Sequence, residues 1–181
     1  AGLKYQLSPL VLGRTLDLTT GVDVSDSNND IHVDSSGVVQ DLIVTKREQG
    51  YYLLSSYEMT DRLSVNSGAR YQKAEYLFEQ FDTNNYVTKT PRVSAYSGGL
   101  KYDYAPGSNV FLNASETFRF LATDEWYSQW TGLNTGLQHQ TGVEYQAGVV
   151  HSFDDVVRLD ATGFLSRNKN EIFVDPTLSG G

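Results

Sequence analysis

The stretch Arg92–Asn109, which reads RVSAYSGGLKYDYAPGSN, contains a strand pattern followed at once by a tight turn. Alternate side chains from residue 94 to residue 104 are mostly aromatic or apolar, whereas Lys101 and Asp103 fall between them. Successive side chains of a strand point to opposite faces, so the stretch predicts a strand with one apolar and one polar face. The run exceeds the usual globular strand of about five or six residues and suits the roughly 9–11 residues that cross a membrane.

The same alternation recurs in further runs along the chain, namely Leu3–Leu7, Arg14–Asp26, Gln49–Glu58, Arg62–Tyr76, Val110–Leu121, Gly142–Phe153 and Val156–Ser166. One face of these runs is apolar and is expected to meet lipid, as for Leu18, Val65, Leu100, Val143 and Leu159. The other face is charged and is expected to meet the barrel interior, as for Asp17, Arg70, Lys101, Glu144 and Arg158. The chain therefore predicts about eight strands, each with two different faces.

The connections between these runs alternate between short and long. The short connections are Ser8–Gly13, Met59–Arg62, Ala105–Asn109 and Asp154–Asp155, and the long ones are Ser27–Thr45, Leu77–Pro91 and Ala122–Gln140. A meander with short turns at one end and long loops at the other is typical of outer-membrane β-barrels, whereas a soluble sandwich does not sort its loops by end. We predict an all-β, antiparallel up-and-down meander that forms part of a transmembrane outer-membrane β-barrel.

Two other architectures fit the same pattern. Eight strands can close into a complete small outer-membrane barrel with an anchoring or adhesion role. Alternatively, the apolar face could be the core of a soluble, lipocalin-like binding barrel. Pairing between Leu3–Leu7 and Val156–Ser166 would indicate the small closed barrel.

Composition narrows the class of function. The 181 residues carry a net charge of -8, which argues against nucleic acid as a partner because nucleic acid attracts basic surfaces. No run of about 18 apolar residues is present, so no transmembrane helix is expected. Tyr102 and Tyr104 precede a tight turn, where an interfacial aromatic girdle belongs.

No motif for catalysis is present in the sequence. Cysteine is absent, and His32, His139 and His151 are far apart along the chain. We therefore expect no enzyme activity, no catalytic residue, no metal site and no cofactor.

The long connection Thr123–Gln140 is the best candidate for a binding site. Trp126, Tyr127 and Trp130 lie close together in it, and exposed Trp and Tyr are rigid contact residues of the kind that binding sites favour. The alternative is that these aromatic residues pack the loop against its neighbours or mark the membrane interface.

Several segments resemble the barrel of TonB-dependent outer-membrane receptors. They are Leu63–Tyr71 (LSVNSGARY), Ser97–Tyr102 (SGGLKY), Phe118–Glu125 (FRFLATDE), Gln140–Gly148 (QTGVEYQAG) and Asn170–Pro176 (NEIFVDP). The sequence departs from the family pattern at three positions. Leu121 and His139 stand where the family often has proline, and Glu144 precedes its tyrosine instead of following it.

The resemblance implies that residues 1–181 are one internal segment of a barrel of about 22 strands, with the plug domain and the remaining strands lying outside this chain. It implies an importer of iron–siderophore or similar nutrient complexes in the bacterial cell outer membrane, energised through the TonB complex. The expected partners are outer-membrane lipids, the TonB complex and an iron-chelate ligand. Arg119, at the base of the aromatic loop, would supply a cation for an anionic iron chelate.

Overall fold

The computed structural model describes residues 1–35, 38–81, 84–128, 132–153 and 156–172. The strands are β1 (Gly2–Leu7), β2 (Leu10–Val11), β3 (Arg14–Ser35), β4 (Val38–Glu58), β5 (Leu63–Gln80), β6 (Asn85–Lys89), β7 (Arg92–Ala105), β8 (Ser108–Arg119), β9 (Tyr127–Ser128), β10 (Gly132–Leu133), β11 (Gln140–Phe153) and β12 (Val157–Lys169). The described residues contain no helix long and apolar enough to cross a membrane.

Eight of these strands form one antiparallel sheet in the order β1-β3-β4-β5-β7-β8-β11-β12. Each strand pairs with the next long strand along the chain, so the predicted up-and-down meander is confirmed. The short strands β2 and β6 extend this sheet on β3 and β5, while β9 and β10 form a separate hairpin. The described residues of β1 and β12 do not pair with each other, so these strands do not form the small closed barrel.

Two of the predicted long loops are wrong, because the strands continue through most of them. β3 and β4 stay paired from Leu16 and Tyr57 up to Ser35 and Val38, which converts most of Ser27–Thr45 into a projecting hairpin. β5 runs to Gln80, and β6 folds back to pair with it, with Tyr76 opposite Lys89. Both faces of these extensions carry many polar residues, so the apolar alternation fades there although the hydrogen-bond ladder continues.

The pairing register places the two predicted sets of residues on opposite faces. Val65 lies opposite Leu100, and Ser64 lies opposite Lys101. Following the registers across the sheet puts Leu18, Val65, Leu100, Val143 and Leu159 on one face, and Asp17, Arg70, Lys101, Glu144 and Arg158 on the other. We call these the apolar face and the polar face.

The polar face is the more crowded of the two. A Cβ atom at Gly148 would overlap the Phe111 ring, and one at Gly99 would overlap the side chains of Asn66 and Asn113. All of these residues lie on the polar face. Side chains converge on the inside of a curved sheet, so the polar face is the concave one, and glycine is needed where large side chains lean over the backbone. The apolar face is convex and open, with Leu112 60% exposed.

Two rows of aromatic residues border the apolar face. The upper row, towards the long connections, comprises Tyr51, Tyr71, Tyr96 and Tyr145, and the lower row includes Tyr57, Tyr102, Tyr104 and Phe153. Tyr96 and Tyr104 are eight residues apart in β7, which corresponds to about 26 Å along a strand. On strands tilted by about 35–45° this spacing projects to roughly 20 Å along the membrane normal, so the two rows lie close to the edges of an apolar band about 25 Å tall, where aromatic girdles belong.

Leu100, midway between these tyrosines in β7, tests the assignment of the apolar face. In the full-length receptor, Leu100→Arg is expected to lower the free energy of unfolding by about 2–4 kcal/mol, because it places a cation near the middle of the apolar band. Thr162→Arg, on the polar face of β12, is the control and should change stability little. The measurement is denaturant unfolding in lipid vesicles, and equal losses for both variants would contradict the assignment.

Candidate ligand-binding loop

A buried aromatic cluster lies where the long connections leave the sheet. It consists of Leu42, Val44, Ala74, Tyr76, Phe78, Phe120, Leu121 and Trp126. The extensions of β4 and β5 pair directly with each other, with Val44 opposite Phe78, and this pairing brings the cluster residues of the two strands together. These positions continue the polar face of the wall beyond the upper tyrosine row. The connection after β8 therefore folds back over the concave side of the sheet.

Trp126 is the centre of this cluster. Its ring meets those of Tyr76 and Phe78 edge-on, at centroid distances of 4.9 and 5.2 Å. Only 3% of Trp126 is exposed. The Tyr76 hydroxyl donates a hydrogen bond to the carbonyl of Leu121 at 2.6 Å, which ties the start of the loop to β5. Burial raises the pKa of Tyr76 well above its ordinary value, so this hydroxyl remains a donor.

A bidentate ion pair between Arg119 and Glu125 closes the base of the loop. Arg119, the last residue of β8, donates from Nη1 and Nη2 to the Glu125 carboxylate at 2.9 and 2.7 Å. The same carboxylate accepts the backbone N–H of Ala122 at 2.7 Å, and Arg119 Nε donates to Gln140 Oε1 at 3.0 Å. Arg119 therefore links the end of β8, the loop and the start of β11. Such forked arginine–carboxylate pairs fix geometry as well as adding energy.

The ion pair also shifts the pKa values of Arg119 and Glu125. Partial burial acts to raise the pKa of Glu125, but the hydrogen bonds from Arg119 and from the Ala122 backbone outweigh it and leave the pKa below the usual 4.5. The hydrogen bond to Glu125 raises the pKa of Arg119. The clamp is therefore an ionised pair at neutral pH.

The structure brings Arg119, Trp126 and Tyr127 to one place but gives them different surroundings. Trp126 is buried and Tyr127, which begins the β9–β10 hairpin, is partly buried. Trp130 lies outside the described residues. Arg119 is about half exposed, and its guanidinium group is engaged by Glu125. Ligand contact by these four residues stays a prediction, and Trp126 and Arg119 hold the loop in place.

Sequence reasoning missed the residues on which the loop rests. Tyr76 and Phe78 lie on β5 beyond the length that a membrane strand needs, as do Leu42 and Val44 on β4. The available signal was the presence of apolar residues on both sides of the chain beyond the band, Leu42–Val44 and Tyr76–Phe78, because residues there meet water unless another segment covers them.

Directly below the anchored loop, the polar face forms a concavity of about 820 Å³. Its lining includes Asp23, Lys46, Glu48, Arg70 and Arg119. Arg70 pairs with Asp23 at 3.2 Å, and Lys46 pairs with Glu48 at 3.1 Å. Charges of both signs thus line the concave wall next to the loop, which suits contact with a polar solute or a polar protein surface.

The wall with an apolar convex face, a polar concave face and turns sorted by end defines a β-barrel of the outer-membrane type. The profile of the family described as TonB dependent receptor-like, beta-barrel, matches residues 1–181. The chain belongs to this family.

Solved structures share the fold. The unliganded ferric citrate transporter FecA aligns with a TM-score of 0.73 and 12% identity, over 91% of this chain and 26% of its own. The closed form of the ferric-catecholate import receptor Fiu from K12 E. coli aligns with a TM-score of 0.72 and 14% identity, over 97% of this chain and 32% of its own. A chain of the FpvAI–pyocin S2 complex aligns with a TM-score of 0.63 and 19% identity, over 90% of this chain and 24% of its own.

The chain therefore spans about a quarter to a third of the length of these receptors. No curated protein sequence matches the chain.

The Arg119–Glu125 clamp predicts an acid-dependent loosening of the loop. The pKa of Glu125 is lowered in the folded state, so its stabilising contribution is complete above pH 4.5 and is lost as the pH falls through the lower folded value. In the full-length receptor, the emission contributed by Trp126, taken as the difference from a Trp126→Phe variant, should shift to longer wavelength over that acidic range. Glu125→Gln, measured in the same way, is the control and should lack this transition. An identical transition in both proteins would contradict the role of the clamp.

Proposed function

We propose that this chain is part of the barrel wall of a bacterial outer-membrane receptor that imports iron–siderophore or similar nutrient complexes, energised through the TonB complex. The family match over residues 1–181 is the observation that carries the proposal. The two faces of the wall support it, because the convex face suits lipid and the concave face suits a plug or water. FecA is a ferric citrate transporter and Fiu is a ferric-catecholate import receptor, so iron chelates are the first ligands to test.

In this proposal the wall carries out no bond chemistry. It holds strands in register across the membrane, and the loops at the long-connection end meet the ligand. Energy would come through the plug and the TonB complex, which act on the full-length receptor. The concave charges, such as Arg70 and Asp23, would contact the plug or water.

We assign two different roles to residues in and below the loop Thr123–Gln140. Trp126 and Arg119 have a structural role at the base of the loop, because Trp126 is buried against Tyr76 and Arg119 is paired with Glu125. They position the loop. Tyr127 and Trp130 are the residues proposed to contact the ligand, since aromatic side chains offer a large rigid surface for an iron chelate.

A cellular experiment tests the function itself. Cells that lack the full-length receptor should lose uptake of a ferric chelate, and the intact gene should restore it only when the TonB complex is present. Ferric citrate and a ferric tris-catecholate are the probes. Uptake of neither chelate, or uptake that is independent of TonB, would overturn the proposed function.

Substitutions in the full-length receptor test the two roles in the loop. Trp126→Ala together with Trp130→Ala is expected to weaken chelate binding by about 1–3 kcal/mol without unfolding the barrel. Trp126→Phe keeps an aromatic ring in the cluster and should keep the affinity, because the role of Trp126 is packing. Trp130→Ala alone should weaken binding while the Trp126 emission stays unchanged. Unchanged affinity in the double variant would contradict a binding role for this loop.

A further inference from the structure

A cavity of about 290 Å³ lies between the anchored loop and the segment that joins β6 to β7. We call it the loop-base cavity. Its wall is mostly aromatic and aliphatic, and the apolar lining residues are Tyr76, Pro91, Phe120, Leu121, Trp126 and Leu137. Among the described lining residues, only Phe120 is shared with the larger concavity of about 820 Å³ on the polar face. The loop-base cavity is therefore a separate site.

The loop-base cavity has one charged residue among the described residues that line it. This residue is Lys89, the last residue of β6. Lys89 lies directly opposite Tyr76 in the antiparallel ladder, so the two side chains share one face. Lys89 is partly buried, and it forms no ion pair within the described part of the chain. A partly buried cation without a partner favours the binding of an anion.

The carboxylates close to this cation already have partners. Glu48 and Glu125 both act electrostatically on the Tyr76 hydroxyl, which places them near the cavity. Glu48 pairs with Lys46 at 3.1 Å, and Glu125 pairs with Arg119 at 2.7 Å. Neither carboxylate lines the cavity. The positive charge in the lining is therefore available to an anion from outside the chain.

A second unused donor lies in the same wall. The indole N–H of Trp126 is buried and has no hydrogen-bond partner, although the Tyr76 hydroxyl lies nearby. That hydroxyl donates its own hydrogen bond to the carbonyl of Leu121. A buried donor without an acceptor lowers stability. An oxygen atom of a bound ligand would supply the acceptor.

Contacts outside the cavity hold its polar rim in place. Gln138 and His139 belong to the lining. The side-chain amide of Asn170 donates to Gln138 Oε1 at 3.4 Å and to the backbone carbonyl of His139 at 3.3 Å. The His139 ring meets the Phe120 ring edge-on at a centroid distance of 5.6 Å. The site is thus formed before any ligand arrives, which lowers the entropic cost of binding.

The volume and the wall chemistry define the class of ligand. An apolar cavity of about 150 Å³ is enough to hold benzene. The loop-base cavity, at about 290 Å³, therefore has room for one aromatic ring and one substituent. Aromatic side chains pack well against such a ring. The unpaired Lys89 then favours an anionic substituent.

We propose that the loop-base cavity binds a small, free aromatic carboxylate. The ring of the ligand lies against Tyr76, Phe120 and Trp126, and its carboxylate meets Lys89. A complete iron chelate is a poor occupant, because iron holds its anionic oxygen atoms and a single ring already fills the space. The proposal goes beyond the import function and does not depend on which nutrient is imported.

Fluorine NMR of the full-length receptor in detergent tests the site with two probes that share one ring. The probe 4-fluorobenzoate is an anion at neutral pH, whereas 4-fluorobenzyl alcohol is neutral. The test variant is Lys89→Met, which removes the charge and keeps the length of the side chain. The control is Lys169→Met, which removes an exposed lysine that does not line the cavity.

Lys89→Met is expected to weaken 4-fluorobenzoate binding by about fivefold or more, because a partly buried ionic contact contributes more than an exposed one. The affinity of this variant for 4-fluorobenzyl alcohol should stay within about twofold of the unmodified receptor. Lys169→Met should keep both affinities. Leu137→Trp, which fills the cavity, should weaken the binding of both probes.

Undiminished 4-fluorobenzoate binding in Lys89→Met, an equal loss in Lys169→Met, or no binding to the unmodified receptor at millimolar concentration would overturn the proposal. Displacement of 4-fluorobenzoate by ferric tris-catecholate would also overturn it, because the cavity would then be part of the chelate site. Chelate uptake by Lys89→Met is measured in parallel and should be normal. Failure of the cavity proposal leaves uptake intact, whereas failure of the proposed function removes uptake from the unmodified receptor as well.

Discussion

The need to pair every backbone N–H and C=O group without water governs this structure. Inside a lipid layer these groups can be satisfied only by neighbouring strands, which makes a continuous ladder obligatory. The ladder fixes the register, and the register fixes the face to which each side chain belongs. One alignment between β5 and β7 places Val65 beside Leu100 and also places Ser64 beside Lys101. The regular pairing of β7 with β8 ends at Ser97 and Ser115. Beyond that point, the Glu116 carboxylate accepts a hydrogen bond from the backbone N–H of Tyr96.

Curvature then makes the two faces chemically different environments. On the concave side the space per residue shrinks, so Gly148 lies beneath the Phe111 ring and charged side chains find partners, as Arg70 does in Asp23. On the convex side the side chains diverge, and the apolar residues there remain open to their surroundings. The same backbone arrangement thus supplies a polar inner wall and an apolar outer wall.

Beyond the upper tyrosine row, the strands have different surroundings. The extended strands β4 and β5 bury apolar side chains under the loop that follows β8. Trp126 fills the space between Tyr76 and Phe78, and Arg119 with Glu125 holds the loop closed. A loop fixed in this way can present its remaining side chains at a defined position without ordering itself on each binding event, which lowers the entropic cost of binding.

The sequence alone determined the strand pattern, the two faces and the placement of the short turns Met59–Arg62 and Ala105–Asn109, whereas the predicted turn Asp154–Asp155 lies outside the described residues. Alternation such as that of Leu100 and Lys101 indicates that one face of the strand has apolar surroundings and the other face does not. It did not determine where β3 and β4 end, because polar residues on both faces remove the alternation while the ladder continues. Nor did it separate the buried Trp126 from an exposed binding residue, since burial depends on Tyr76 and Phe78, which are distant along the chain. The sequence also did not show that Lys73 lies beside Arg92, because pairing between strands brings them together and local sequence carries no information about that register.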